Sequence, residues 1–186
     1  NLFELQSPTD LMLLGRTIDD AVGEAYDKAA VILQLGYPGG PQLDQLAQTG
    51  DSSGHRLPRS RLGRDSLDFS FSGLKTALLY TVRGKPQGRG GKARFERSAD
   101  DLTDEQRRDL AAAFQAAAID ALIIKLERAL DRMMSAGSQV HSILIGGGVS
   151  ANSLLRGRAV DLGRRRDLDV YLPPLELCLD NAAMIG

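Results

Sequence analysis

Short apolar strand candidates set between long helical stretches place this chain in the α/β or α+β class, and three observations carry that reading. The 186 residues are 42% hydrophobic and 25% charged, the composition of an ordinary globular domain with one sizeable core. Apolar runs at Leu11 to Leu14, Ile143 to Ile145 and Leu168 to Leu172 have strand length. From Asp101 to about Met134 the pattern is helical, and between Ala111 and Ile124 almost every side chain is apolar, which predicts a helix enclosed by the core and stopping near Gly137.

Bulk properties narrow the function classes. Net charge is −1, so contact with nucleic acid must come from local basic patches. No apolar run approaches the roughly 18 residues of a membrane span, and Asn1-Leu2-Phe3-Glu4 lacks both an initiator Met and a signal-peptide profile. Cys178 is the single cysteine, which forbids an intrachain disulfide and suits a reducing compartment. The expectation is a cytoplasmic protein, without a membrane partner, whose true start is missing.

The elements follow in order. After the strand ending at Gly15, Thr17 and Asp20 have the spacing of a capping box, and Ile18, Val22, Ala25, Ala29 and Ile32 draw one buried stripe on a helix ending near Leu35. Gly36 and Pro38 stop it, and Tyr37-Pro38-Gly39-Gly40-Pro41 reads as a turn. Asp20, Glu24 and Asp27 share the other face, where three like charges repel; spacing alone favours a solvated stripe. Residues 49–66 and 83–98 read as flexible loops, the second holding six basic residues against one acid. Thr103-Asp104-Glu105-Gln106 is a capping box for the long helix.

The segment with most chemical content is Ile143 to Arg156, an apolar strand running into Gly146-Gly147-Gly148 and then a helix whose start offers Ser150 and Asn152. Glycines let a backbone approach a ligand, and free amides at a helix start favour a phosphate. That is the design of a nucleotide site, although it is neither a Walker A loop nor a dinucleotide fingerprint, and a tight turn without a ligand is the alternative. Phe69-Ser70-Phe71-Ser72-Gly73-Leu74-Lys75-Thr76 reads as a half-buried strand and turn entering another helix. Asp180 and Asn181 stand at a probable helix start, where capping and metal ligation both fit an Asp. His55 and His141 are at no ligand spacing from Asp180, and no hydrolase triad is present.

Five blocks in this order resemble the TsaD family, the tRNA threonylcarbamoyladenosine transferases also labelled O-sialoglycoprotein endopeptidases. They are residues 15–28, 36–41, 69–76, 147–152 and 178–185. The resemblance implies the actin-like ATPase (ASKHA) fold, with residues 1–186 as a nucleotide-binding, ribonuclease H-like lobe carrying helical additions and returning toward the other lobe from about residue 176. It implies transfer of threonylcarbamoyl from its adenylate to the exocyclic amine of the adenosine next to the anticodon, with AMP released.

By the same resemblance, Asp27 and Gly40 meet the nucleoside with Glu24 beside them, while Asn152 and Gly146, Gly147 and Gly148 hold the same ligand, threonylcarbamoyl-adenylate, ATP or AMP. Asp180 is a ligand of a divalent metal, iron first, with zinc or magnesium as alternatives. The partner ligands, a His-x-x-x-His pair, and a Ser-Gly-Gly-His-Thr loop lie upstream in the family. Leu179 stands where the family usually has Thr. No side chain here is an obvious general base, so the implied chemistry is electrophile positioning, and this stretch alone is expected to be inactive. tRNA and TsaB-like and TsaE-like helper proteins are the implied partners, and Arg83, Lys85, Arg89, Lys92 and Arg94 could meet tRNA phosphates. The competing readings are an inactive scaffold subunit, a sugar kinase or other carbamoyltransferase, and a glycoprotease; the last lacks its catalytic groups in this sequence.

Overall fold

The computed structural model describes residues 1–59, 62–63, 65–88 and 94–178. They fall into two compact units. The sheet unit comprises the described residues of Asn1–Ile18, Leu62–Phe69 and Ile119–Gly186, and the helical unit those of Asp19–Arg61 and Ser70–Ala118. Among the described residues two strands are followed by four α-helices and then by a strand–helix–strand stretch, and the strands form two separate pairs.

In the sheet unit, β1 (Leu2–Ser7) pairs antiparallel with β2 (Asp10–Gly15), Phe3 facing Leu13 and Leu5 facing Leu11. β2 is expected from its apolar run; β1 is not, although Phe3 and Leu5 alternate with Glu4 and Gln6, and most of the apolar side chains of both strands stay about half exposed. β2 ends where Gly15 passes the 67–69 segment: a Cβ at Gly15 would stand 2.2 Å from the Leu67 carbonyl oxygen. The chain then stays extended. Arg16 N donates to Asp68 Oδ1 at 3.0 Å, and Thr17 bridges Phe69 in parallel. This pairing displaces the expected cap at Thr17, and the first helix begins only at Val22.

The second pair is a strand–helix–strand crossover. β3 (Ser142–Leu144) runs parallel to β4 (Asp169–Tyr171), with α5 (Ser153–Arg166) between them, as parallel strands require. α5 buries Leu155, Ala159 and Leu162, and Leu155 and Leu162 join Ile143 and Ile119, Ile123 and Leu130 of α4 (Asp104–Ser135) in one cluster. Each such large side chain stabilises by about 1.5–3 kcal/mol. Ion pairs Arg165–Glu127 and Arg166–Asp131, both 2.7 Å, tie the two helices on the outside. The covered sheet expected from Ile143-Leu144-Ile145 is parallel but covered on one face: Ile143 is buried, whereas Leu144 is 62% and Tyr171 58% exposed among the described residues. Lys125, on an apolar helix face, is buried and donates to the Ser66 carbonyl. Burial pushes its ammonium below the ordinary lysine value, with Arg128 adding to the effect.

The helical unit holds α1 (Val22–Ile32), α2 (Gly39–Ala47), α3 (Ser72–Arg83) and the part of α4 up to Ala118. α1 buries Ala25, Tyr26, Ala29 and Ala30, and Leu33 follows at its C-cap; Ile18, expected in the stripe, is exposed. Tyr26 meets Phe114 edge to face at 5.4 Å. The Thr103 capping box forms as its spacing predicts, with Thr103 N donating to Gln106 Oε1 at 3.0 Å and Gln106 N to Thr103 Oγ1 at 3.2 Å. α4 therefore starts three residues later than expected, because Ser98 and Asp101 cap a separate 3-10 turn over Ala99–Asp101. Arg107 donates to the Leu33 carbonyl at the end of α1.

Two glycines distinguish close approach from mere flexibility. Gly15→Ala is expected to destabilise by about 1–3 kcal/mol, because the added carbon meets backbone that cannot rotate away. Gly157→Ala, in α5 with open space around it, is expected to stabilise by about 0.5–1 kcal/mol through helix propensity. Urea midpoints of the two variants should move in opposite directions.

Candidate functional site

In the helical unit, Asp27 and the Gly39-Gly40 pair come together. Gly39 N donates to Asp27 Oδ1 at 3.0 Å, which ties the middle of α1 to the first amide of α2. What reads as a turn in the sequence is this helix start, with Pro38 as its N-cap. The two glycines differ. A Cβ at Gly39 would stand 2.6 Å from Ala30 Cβ and 2.8 Å from Asp27 Cα, so glycine lets the helices touch. A Cβ at Gly40 would meet nothing within 4 Å. Gly40 lies in the first turn, where helix amides lack intrahelical acceptors, and Pro41 beside it has none to offer.

The acidic row is not a repelling stripe. Asp20 lies before α1, and Lys28 bridges it at 2.6 Å to Glu24 at 2.7 Å, while Lys75 of α3 reaches Asp20 at 2.9 Å. Both lysines favour the Asp20 carboxylate and hold its pKa low. Glu24 thus stands near Asp27 with an existing cation partner. Asp19 caps α3: it accepts from Phe71 N at 2.8 Å, from Ser72 Oγ at 2.7 Å and from Ser70 Oγ. Burial pushes its carboxyl up, but these donors outweigh that and leave it below the ordinary value. Sequence reasoning misses this lock, since no local rule pairs Asp19 with hydroxyls some fifty positions away.

In the sheet unit, β3 delivers Gly146, Gly147 and Gly148 into a 3-10 turn over Gly148–Ala151 and then α5. Gly147 has φ 76° and ψ 175°, a conformation open in practice to glycine alone. Added Cβ atoms would meet nothing within 4 Å at Gly146 or Gly147, and only the Cys178 carbonyl oxygen, 4.0 Å away, at Gly148. Asn152 is buried, and its Oδ1 caps α5 by accepting from Leu155 N at 2.9 Å. Ser150, fully buried, donates through Oγ to the Gly147 carbonyl at 2.7 Å and lies 3.2 Å from Cys178 Sγ. Arg156 Nη1 donates to the Ser150 carbonyl at 2.8 Å and the Pro173 carbonyl at 3.0 Å.

Other expectations divide. Asp180 lies outside the described residues, and among those described no three His, Cys, Asp or Glu side chains group to hold a metal. His55 is half-buried and His141 exposed. In the basic loop, Arg83 stacks over Phe95 at 4.7 Å, Gln87 and Arg94 pair through their backbones at 2.8 and 2.9 Å, and Arg97 donates to the Thr81 carbonyl at 2.9 Å. Arg89 and Lys92 lie outside the described residues. A shallow depression of about 410 Å³ beside the end of α5, lined partly by His141, Arg164 and Asp167, contains none of the residues expected to bind the ligand. Among the described residues no helix is long and apolar enough to cross a membrane.

Asp19 and Asp20 both have folded-state values below their unfolded ones, so their stabilisation is complete at neutral pH and is lost as pH falls below about 4. The Asp19→Asn, Asp20→Asn double variant is expected to start from a lower Tm at pH 7 and to lose less Tm between pH 5 and pH 3 than the parent. Thermal scans across that range test it.

The family model for TsaD, tRNA N6-adenosine threonylcarbamoyltransferase, matches residues 1–186. Relatives bearing that description include one from Thermosipho africanus, 44% identical over 95% of this chain and 48% of its own length. The one from Bordetella avium is 48% identical over 94% of this chain and 46% of its own, and the one from Desulfovibrio desulfuricans is 42% identical over 100% and 50%. The chain therefore spans about half the length of the curated relatives it matches.

Proposed function

Because this chain belongs to the TsaD family of tRNA N6-adenosine threonylcarbamoyltransferases, we propose that it supplies the adenylate-holding part of an acyltransferase acting on tRNA, within an actin-like ATPase fold. The observation that carries the reading is the bareness of Gly40 and of Gly146 to Gly148. Among the described residues no side chain comes within 4 Å of a carbon added at these positions, and backbone recognition of a ligand requires such room.

In this reading a ribose hydroxyl donates to Asp27 Oδ2, the oxygen opposite the one that accepts from Gly39, and the Gly40 amide lies alongside. Asn152 and the glycine turn are proposed to offer amide groups to an adenylate. The exocyclic amine of the target adenosine attacks the carbamoyl carbonyl carbon. A carbon–nitrogen bond forms, the carbon–oxygen bond to phosphate breaks, AMP departs with the electron pair, and the amine proton passes to solvent. Fixed amide donors near the departing phosphate stabilise the charge that develops there. Asp180 is proposed as one ligand of a divalent metal, iron first, which would polarise the mixed anhydride; no residue role assigned here depends on it. A cytoplasmic setting and TsaB-like and TsaE-like helpers belong to the same proposal.

Gly40→Ala and Gly148→Ala separate ligand contact from folding, since both added carbons have room. In the full-length protein each is expected to keep the parent Tm within a few degrees and to weaken AMP binding and threonylcarbamoyl transfer about tenfold or more. Unchanged binding and transfer in both variants would sink the adenylate reading.

The basic loop is proposed to meet tRNA phosphates. Replacing Lys85 and Arg94 with Gln is expected to lower the slope of log K against log salt for tRNA binding by roughly one to two. A slope identical to the parent's would assign the loop elsewhere.

A further inference from the structure

We propose that Arg156, with Ser150 and Cys178, forms a clip that positions the glycine turn for its ligand, a role that rests on the adenylate reading of that turn. Gly146, Gly147 and Gly148 are exposed and have no side-chain packing to hold them. A turn of that kind has many conformations in isolation, and a ligand would have to order it on binding. What fixes it lies behind it. The Gly147 carbonyl accepts both from Ser150 N at 2.9 Å and from Ser150 Oγ at 2.7 Å. Ser150 is in turn held from two sides, by Cys178 Sγ at 3.2 Å and by Arg156 on its carbonyl.

Arg156 also takes the Pro173 carbonyl, so one guanidinium nitrogen joins the turn to the 173–178 segment that carries Cys178. Cys178 Sγ lies 3.4 Å from the Pro174 carbonyl within that segment. Two independent links therefore connect the same two stretches, one through Arg156 and one through Ser150 and Cys178. Arg156 sits one turn into α5, where its side chain points back over the helix start, the geometry that a long helical side chain favours. None of the three needs to touch the ligand. They are positioning residues whose effect passes through the Gly147 carbonyl and the amides next to it.

The test uses the full-length protein with AMP as the probe. AMP affinity and binding stoichiometry are read by calorimetry, and the alkylation rate at Cys178 is read by peptide mass spectrometry. Arg156→Gln is expected to raise Kd for AMP about tenfold, the scale of one charge-assisted hydrogen bond, at unchanged stoichiometry, and to speed alkylation of the buried Cys178 several-fold. Arg156→Lys, which keeps the charge but not the fork, should recover part of both. Ser150→Ala serves as the second variant and should move both readouts in the same direction. A fall in stoichiometry at unchanged Kd, or faster alkylation at unchanged Kd, would make these contacts structural only and overturn the proposal. So would unchanged values in both variants. Gly148→Ala is measured alongside: if it leaves AMP affinity intact, the adenylate reading itself has failed, whereas loss of affinity there with Arg156→Gln inert defeats the clip alone.

Discussion

A backbone that is to bind a ligand must be bare on one side and held still from the other, and this chain meets the two demands with different residues. Where glycine is required by contact, as at Gly15, Gly39 and Gly163, an added carbon would fall within 2.6 Å of a neighbouring atom. Where the surface is left open, at Gly40 and through Gly146 to Gly148, the support comes from behind by hydrogen bonds: Asp27 on the Gly39 amide, Ser150 on the Gly147 carbonyl. Rigid support of this sort lets amides act as fixed donors without reorganising when a charge develops.

The motif blocks are also each other's scaffolding. Asp19 fills the start of α3, and Asp20 takes Lys75 from its first turn. That settles an ambiguity in the Phe69 to Thr76 block. Its Gly and Lys at a helix start could suggest a phosphate grip, but a carboxylate already occupies the helix end and a second one neutralises the lysine. The block serves the helical unit by holding α3 against the chain that leads into α1.

Local patterns were legible in the sequence wherever the physics is local. The Thr103 capping box, the apolar body of α4, the strands near 143 and 169 and the helix after the glycine turn all follow from spacing within a few residues. What escaped depends on tertiary contact. β1 alternates Phe3 and Leu5 with Glu4 and Gln6 but buries neither face. The Thr17 cap lost to strand pairing with Phe69, because an extended residue beside another extended segment gains backbone hydrogen bonds that a capping side chain does not match. α2 was hidden inside a Pro-Gly-Gly-Pro run whose composition reads as a turn until Asp27 is seen holding its first amide. Among candidate site residues, the glycine turn and Asn152 announced themselves by sequence, but the reason Asn152 is also structural, its cap on Leu155 N, appears only in the fold.

The structural bonds of Asn152 and Asp27 bear on the proposed chemistry. Asn152 Oδ1 is committed to an α5 amide and Asp27 Oδ1 to an α2 amide. A side chain anchored in this way makes a precise donor or acceptor but a poor mobile base. The pairing that most resembles a nucleophile, Ser150 beside Cys178, is sealed from solvent, with its hydroxyl directed at a backbone carbonyl. Covalent catalysis needs an exposed nucleophile and a base within reach of it. The proposed reaction needs neither: its electrophile arrives already activated, as an acyl-adenylate does, and a protein that holds it still while the amine attacks requires no nucleophile of its own.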